Sequence, residues 1–180
     1  MLFGTSRDHD DDRGHMGMHG DGQMMNTGDG IYSGSDIMFA QMMIPHHQQA
    51  VDMSEMALVT SKNAKILDLA KRIKDAQSAE IIQMQSWLGT DDSNQMMGDH
   101  MGHNMGGMMS DEDMAALKSS TGTTFDKLFL EGMIIHHEGA LQMVTMIDDT
   151  NNQEVNTFGL NVIKVQTEEI AEMKEILASL

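Results

Sequence analysis

Four long stretches of the chain carry apolar residues at the three- and four-residue intervals that are typical of amphipathic helices. Their apolar positions fall on one stripe with polar residues between them, at about residues 36–61, 63–88, 124–148 and 152–179. The stretches are rich in strong helix formers such as alanine, leucine, methionine and glutamate, and the only proline of the chain is Pro45. The pattern predicts four long helices and argues against a fold built from strands.

The four predicted helices consist of two copies of one helical hairpin. Residues 39–56 and 129–146 share a phenylalanine, a His-His pair, an alanine and several methionines at matching positions. The second and fourth helices also match, with the residues Gln77, Glu80, Ile81, Met84 and Leu88 repeated as Gln166, Glu169, Ile170, Met173 and Leu177. Two hairpins with one apolar stripe each bury those stripes best against each other. The sequence therefore predicts an all-α, ferritin-like four-helix bundle made of two duplicated helical hairpins.

Two stretches lack helical periodicity. Residues 1–34 contain glycine, aspartate, histidine and methionine with almost no bulky aliphatic side chains. Such a composition cannot offset a backbone entropy of about 1–2 kcal/mol per ordered residue, so we expect a disordered, acidic Met/His-rich tail. A second stretch of the same character is predicted to be a Met/His-rich crossover loop that ends at a capped helix start, Ser110. The predicted units are the tail, repeat 1, the loop and repeat 2, at about 1–34, 36–88, 89–110 and 124–180, with the whole bundle at 35–180.

The duplicated histidine and methionine positions point to a site for a soft metal ion. The chain has 22 methionines and no cysteine, so thiolate zinc sites, disulfides and thiol catalysis are excluded. A thioether is neutral, soft and never protonated, which suits Cu(I) and its surrogate Ag(I), while imidazole is a stronger donor that also accepts Cu(II). The candidate ligands in the helices are Met43, His46, His47, Met53 and Met56 and their repeats Met133, His136, His137, Met143 and Met146. Those in the crossover loop are His100, Met101, His103 and Met105.

Helix geometry gives the two histidines of a pair different directions. Successive residues on a helix point about 100° apart, so we expect one histidine of each pair to face the interior and the other to face a groove or solvent. Glu80 and Glu169 lie on the apolar stripes of the second and fourth helices. They are candidates for orienting an imidazole through its free N–H. The alternative is that each lies at the edge of its stripe and reaches water.

Charge and hydropathy narrow the choice of partner. The formal net charge of −17 disfavours nucleic acid and anionic membrane surfaces and attracts cations. No apolar run approaches the roughly 18 residues of a membrane span, so no membrane insertion is expected. The start of the chain has no apolar core resembling a signal peptide, and an exported protein is expected to have lost that segment.

Two other classes of function are compatible with a helical bundle. A ferritin-like, metal-dependent redox enzyme would use Glu80 and Glu169 as ligands, but di-iron bundles usually carry Glu-x-x-His. No such spacing exists here, because the residues three after Glu55, Glu80, Glu131 and Glu169 are Leu58, Gln83, Ile134 and Glu172. A metal-switched sensor or adaptor is the other class, and methionine-rich faces also suit adaptable protein binding without metal. We expect a non-enzymatic protein with no catalytic residues.

The combined motif resembles a bacterial His-His/Met-rich family catalogued as a domain of unknown function, which includes a copper-resistance protein. The resemblance covers about residues 36–180 and rests on Phe39, Met43-Ile-Pro-His46-His47, Ala50, Met53, Gln77-Ser-Ala-Glu80-Ile81, Met84 and Trp87-Leu88. It implies a ferritin-like bundle in the periplasm or outside the cell that binds copper and silver through these histidines and methionines. It also implies copper resistance, by sequestering the ion or delivering it to an exporter or chaperone.

Three of the positions at which the second copy of the motif departs from the first bear on the candidate site. Gly132, Ile135 and Ile176 stand where the first copy has Met42, Pro45 and Trp87. The two halves are therefore expected to differ in metal affinity.

Overall fold

The computed structural model describes residues 26–27, 30–89 and 106–180. Within these ranges the chain is helical, apart from a short antiparallel pairing of β1 (Asn26–Thr27) with β2 (Gly30–Ile31). The helices are α1 (Gly34–Thr60), α2 (Ala64–Leu88), α3 (Asp111–Ser119), α4 (Gly122–Val144) and α5 (Gln153–Ala178). A 3-10 turn, Thr145–Ile147, follows α4. The all-α prediction is confirmed, and the structure adds the short α3 to the four long helices predicted.

Four of the five helices begin at a side chain that caps their first free amides. The Ser33 hydroxyl accepts a hydrogen bond from the Asp36 amide, and the Asp36 carboxylate accepts one from the Ser33 amide, which is a complete capping box. Asn63 and Asn152 cap α2 and α5 in the same repeated manner. Ser110 caps α3, at the helix start that the sequence indicates.

The long helices form two hairpins that pack through their first helices. α1 packs along α2, α4 packs along α5, and α1 and α4 contact each other between the hairpins. α2 and α5 touch only sparsely, and α3 lies on α4. None of the helices in the described ranges is long and apolar enough to cross a membrane. α1 and α4 are therefore the central pair, each with its own hairpin partner on another side.

Two separate apolar clusters form the core, and each draws on both hairpins. The Phe39 cluster includes Phe39, Met43, Met84, Trp87, Met143 and Phe158. The Phe129 cluster includes the equivalent residues of the other repeat: Phe129, Met133, Met173, Ile176, Met53 and Leu69. Along every long helix, one cluster precedes and the other follows a group of buried polar residues. We call this group the polar layer, and it consists of the buried residues His46, His47, Gln77, His136, His137, Gln166 and Glu169 together with the partly buried Glu80.

The chain before α1 is already packed at Tyr32. The Tyr32 side chain is buried, with its ring centroid 5.9 Å from that of Trp87. Its hydroxyl donates to the Glu154 carboxylate over 3.2 Å, and the Trp87 indole N–H donates to the same carboxylate over 3.0 Å. Residues 1–25 and 28–29 of the predicted tail lie outside the described part, so disorder stays a prediction for them, whereas Tyr32 is buried, Ser33 caps α1 and Gly34 begins it.

The end of the crossover loop lies directly on the two central helices. Gly107 has a φ of +90°, and a Cβ there would lie 2.7 Å from the Ile135 carbonyl oxygen. A Cβ on Gly139 would collide with the Gly106 carbonyl oxygen. On α1, the Gln49 side-chain amide donates to the Met109 carbonyl over 2.9 Å and accepts from the Met109 amide over 2.8 Å. Residues 106–109 are thereby fixed across α1 and α4.

We expect Gly139→Ala to destabilise the protein by about 1–3 kcal/mol, the usual cost of overpacking. The added methyl group forces the Gly106 carbonyl and its neighbours away from α4. Gly34→Ala is the matched control, because no atom lies within 4 Å of a Cβ at that position. Urea denaturation followed by circular dichroism would measure both. Equal midpoints for the two variants would contradict the close approach of the loop to α4.

Candidate metal centre

Four histidines lie at the centre of the polar layer, each with 0% of its surface exposed: His46, His47, His136 and His137. Their burial follows from the position of the central helices, since α1 has α2 on one side and α4 on another. His46 therefore meets α4 and His47 meets α2, while His136 meets α1 and His137 meets α5. The expectation that one histidine of each pair faces a groove or solvent is wrong, because a neighbouring helix covers each direction.

His46 and His136 join the two hairpins by ring contact. Their ring centroids are 3.8 Å apart and the ring planes are inclined by 35°. The His136 Nε2–H donates to the His46 backbone carbonyl over 2.8 Å. Within one pair the rings are farther apart, with centroids separated by 6.4 Å in the first repeat and 6.3 Å in the second. The closest imidazoles are thus the equivalent residues of the two repeats.

His47 and His137 each face a glutamate on the second helix of their own hairpin. The distance from Nε2 to the carboxylate oxygen is 2.8 Å both for His47 with Glu80 and for His137 with Glu169. The glutamate side chains are 14% and 7% exposed, so neither extends freely into water. A carboxylate that accepts from Nε2–H leaves the lone pair on Nδ1, which is how such partners orient metal-binding imidazoles.

The polar layer contains many buried polar atoms without a hydrogen bond. Nδ1 of all four histidines makes none within the described residues, and neither does Nε2 of His46. Leaving such an atom unsatisfied typically costs about 1–3 kcal/mol. Half of the unsatisfied atoms of the described side chains belong to these four imidazoles, which is the pattern expected where a bound ion completes the site.

Two buried glutamines extend this layer and are absent from the candidate residues that the sequence suggests. Gln77 and Gln166 are each 2% exposed. Both amide atoms of Gln77 and the Oε1 atom of Gln166 lack hydrogen-bond partners within the described residues. The signal that identifies them is the repeated Gln-x-x-Glu spacing, which places each glutamine one turn before Glu80 or Glu169 on the same helix face.

Burial keeps two of the imidazoles neutral. It lowers the pKa of His46 from 6.5 to about 3, and the neighbouring His47 adds to this shift, while the backbone of Gly106 opposes it. Burial, with the other three histidines, also lowers the pKa of His136 well below 6.5. Neutral imidazoles keep their lone pairs available, so protons compete little with a metal ion at neutral pH.

The predicted methionine ligands flank the polar layer on both sides. Met43 and Met143 belong to the Phe39 cluster, whereas Met53 and Met133 belong to the Phe129 cluster, and all four are buried. Met56 and Met146 pack against these clusters and are partly buried. The predicted loop ligands lie outside the described residues: His100, Met101, His103 and Met105.

The carboxylates of the polar layer do not form a common cluster. Within the described ranges, no three His, Asp or Glu side chains are grouped so that they could hold a metal ion. Glu80 and Glu169 each contact a separate imidazole instead of converging on one point.

Comparison with known proteins gives the chain a family context. A family model described as a domain of unknown function, DUF305, matches residues 36–177. No protein among the curated sequences matches the chain. The solved structure of CopM in the Cu(II)-bound form is 34% identical with a TM-score of 0.69, covering 80% of this chain and 96% of CopM.

Three further solved structures are similar. CopM in the Cu(I)-bound form is 30% identical with a TM-score of 0.64, again covering 80% of this chain and 96% of the CopM chain. CopM has also been solved in an Ag-bound form. A DUF305 protein from Streptomyces coelicolor, named as a putative secreted protein, is 27% identical with a TM-score of 0.70, covering 81% of this chain and 93% of its own.

Proposed function

Because the chain belongs to the DUF305 family, as its duplicated His-His/Met motif predicts, we propose that it binds Cu(I) and Ag(I) in and beside the polar layer. CopM, which shares the fold, has been solved with Cu(II), Cu(I) and silver. The observation that carries the proposal is the set of four buried imidazoles, each with an Nδ1 atom that makes no hydrogen bond within the described residues.

In this proposal each part of the centre has a chemical role. Glu80 and Glu169 hold the rings of His47 and His137 and leave Nδ1 as the donor atom. Thioethers from the two apolar clusters complete the coordination: Met43, Met53, Met56, Met133, Met143 and Met146. A neutral soft donor set of this kind favours a monovalent soft ion over Fe(II) or Zn(II).

The remaining parts of the chain would serve capture of the ion. The net charge of −17 raises the cation concentration near the protein, and the tail and crossover loop add donors such as His100, Met101, His103 and Met105. We propose a non-enzymatic copper-resistance protein of the periplasm or extracellular space. It would sequester copper or deliver the ion to an exporter or chaperone.

The domain organisation fits the same proposal. We propose that the four long helices form a ferritin-like four-helix bundle at residues 35–180, preceded by the tail of residues 1–34. The two hairpins and the contact between α1 and α4 support this arrangement. Residues 89–110 are the crossover between the repeats, and its described end, residues 106–109, lies against both central helices.

Titration of the metal-free protein with Cu(I) under anaerobic conditions, against a competing chromophoric chelator, tests this function. We expect tight uptake of Cu(I) and Ag(I), and weak uptake of Fe(II) and Zn(II) in parallel titrations. Failure to compete for Cu(I) would mean that the methionines serve packing alone. Preferential uptake of Fe(II) would instead support the redox-enzyme class, with Glu80 and Glu169 as ligands.

A further inference from the structure

The side chains of two methionines meet over Gly132, outside the polar layer. A Cβ at Gly132 would lie 2.6 Å from Sδ of Met109, 3.3 Å from Cε of Met109 and 3.3 Å from Cε of Met53. Gly132 does not have a positive φ, so its importance is the space that its missing side chain leaves. Met109 of the crossover fills that space, and Met53 of α1 borders it.

Comparison of the two repeats shows what the Met109 side chain contributes beside Gly132. The first-repeat equivalent of Gly132 is Met42, since each lies four residues before the first histidine of its pair. Met42 packs against the Phe39 cluster, and Met109 packs against the Phe129 cluster. Met109 therefore supplies a thioether to the second repeat at the position where α4 itself has none.

The backbone of Met109 is held more firmly than apolar packing requires. Both polar atoms of its peptide unit are bonded to the Gln49 side chain, over 2.8 and 2.9 Å. Two residues earlier, Gly107 turns the chain against Gly139, which is the repeat equivalent of Gln49. Fixing a ligand before binding lowers the entropic cost of capture, so this anchoring suits a donor atom.

Met109 is also only partly buried. A cavity of about 220 Å³ borders it, lined among others by Met108, Met109, Asp113 and Glu131. The two carboxylates give this cavity the sign of charge that attracts a cation. Met53 is fully buried on the inner side, so the pair leads from the accessible rim into the bundle.

We propose that Met53 and Met109 form a thioether subsite for a monovalent soft cation, Cu(I) or Ag(I), distinct from the imidazoles of the polar layer. Two neutral sulfur donors match the low coordination numbers and soft character of these ions. The inference rests on the proposed function for the type of ion and shares Met53 with it, but it adds Met109 and uses no imidazole. The subsite lies where the end of the crossover loop meets the bundle.

Silver titration of the full chain carrying ¹³C-methyl methionine tests this subsite by NMR. We expect the Met53 and Met109 methyl signals to shift together in one saturable transition. Met109→Leu is expected to remove the Met53 shift and to lower the silver stoichiometry by one ion. Met114→Leu is the matched control, because Met114 is also partly buried against the Phe129 cluster. Identical titrations of these two variants would overturn the proposal.

A second variant changes the anchor and leaves both sulfurs in place. Gln49→Ala releases the Met109 backbone and is expected to weaken silver binding at the subsite roughly tenfold, as loss of an outer partner does at other metal sites. Unchanged affinity would overturn the anchoring role. In a His46→Leu/His136→Leu background the Met53 and Met109 shifts should persist. Wild-type silver binding without a Met109 response would overturn this subsite and leave the imidazole layer standing. A Met109 response without any silver binding at the imidazoles would instead overturn the polar layer as the metal centre of the proposed function.

Discussion

Replacing His46 and His136 together by leucine is expected to abolish tight Cu(I) binding in the polar layer, with an affinity loss of roughly a hundredfold or more. These two rings are the closest imidazoles of the centre, and their Nδ1 atoms make no hydrogen bond within the described residues. Leucine has a similar volume and leaves no polar atom behind. The helices should therefore persist, because only the bond from His136 to the His46 carbonyl is lost.

The control for this experiment is Met84→Leu/Met173→Leu. These two methionines are repeat equivalents in the same two apolar clusters, and neither is a proposed ligand. Competition with a chromophoric Cu(I) chelator would measure both double variants, with circular dichroism as the test of helix content. Retention of wild-type affinity and stoichiometry by the histidine variant would rule out the polar layer as the copper site.

Acidification from about pH 7.5 to about pH 5 is expected to destabilise the metal-free protein by about 2 kcal/mol through His46 alone. The pKa of His46 is near its ordinary 6.5 in the unfolded chain and about 3 in the folded protein. Below pH 6.5 His46 therefore binds a proton in the unfolded state but not in the folded state, so the free energy of unfolding falls as the pH falls. His136, whose pKa burial also lowers well below 6.5, adds a contribution of the same sign.

Urea denaturation at a series of pH values would measure this effect. The matched variant is again His46→Leu/His136→Leu, which lacks both groups and should show a much flatter dependence between about pH 7.5 and about pH 5. Parallel curves for the variant and the wild-type protein would show that these two histidines do not remain neutral in the fold. The interval stays above pH 5 so that most carboxylates remain ionised in both states.

The helices could be predicted from the sequence because their signals are local. Apolar periodicity marks the four long helices, and Ser33, Asn63 and Asn152 are ordinary capping residues that set where they begin. α4 ends at Val144, short of the predicted residue 148, because the chain tightens there into the 3-10 turn at Thr145–Ile147. A helix and a 3-10 turn share similar side-chain preferences, so periodicity alone does not separate them.

The candidate site was less predictable, because it depends on contacts between distant residues. Helix geometry correctly separates the directions of His46 and His47, but it cannot show that other helices cover both directions. Both amide atoms of Gln77 and the Oε1 atom of Gln166 lack hydrogen-bond partners within the described residues, which has meaning only once both hairpins are packed. The approach of Met109 to Gly132 joins two segments that no periodicity relates.

The division of the core into two clusters has a consequence for symmetry. Each cluster takes residues from both hairpins, so a single hairpin contains only half of either one. An isolated hairpin would bury its stripe best by pairing with a second copy about a twofold axis, as in an isologous dimer. The chain is in this sense a covalently linked dimer. Because the two halves are covalently linked, their sequences need not be identical. Gly132 can therefore replace the equivalent Met42, and the Met109 side chain of the connecting segment fills the space beside it.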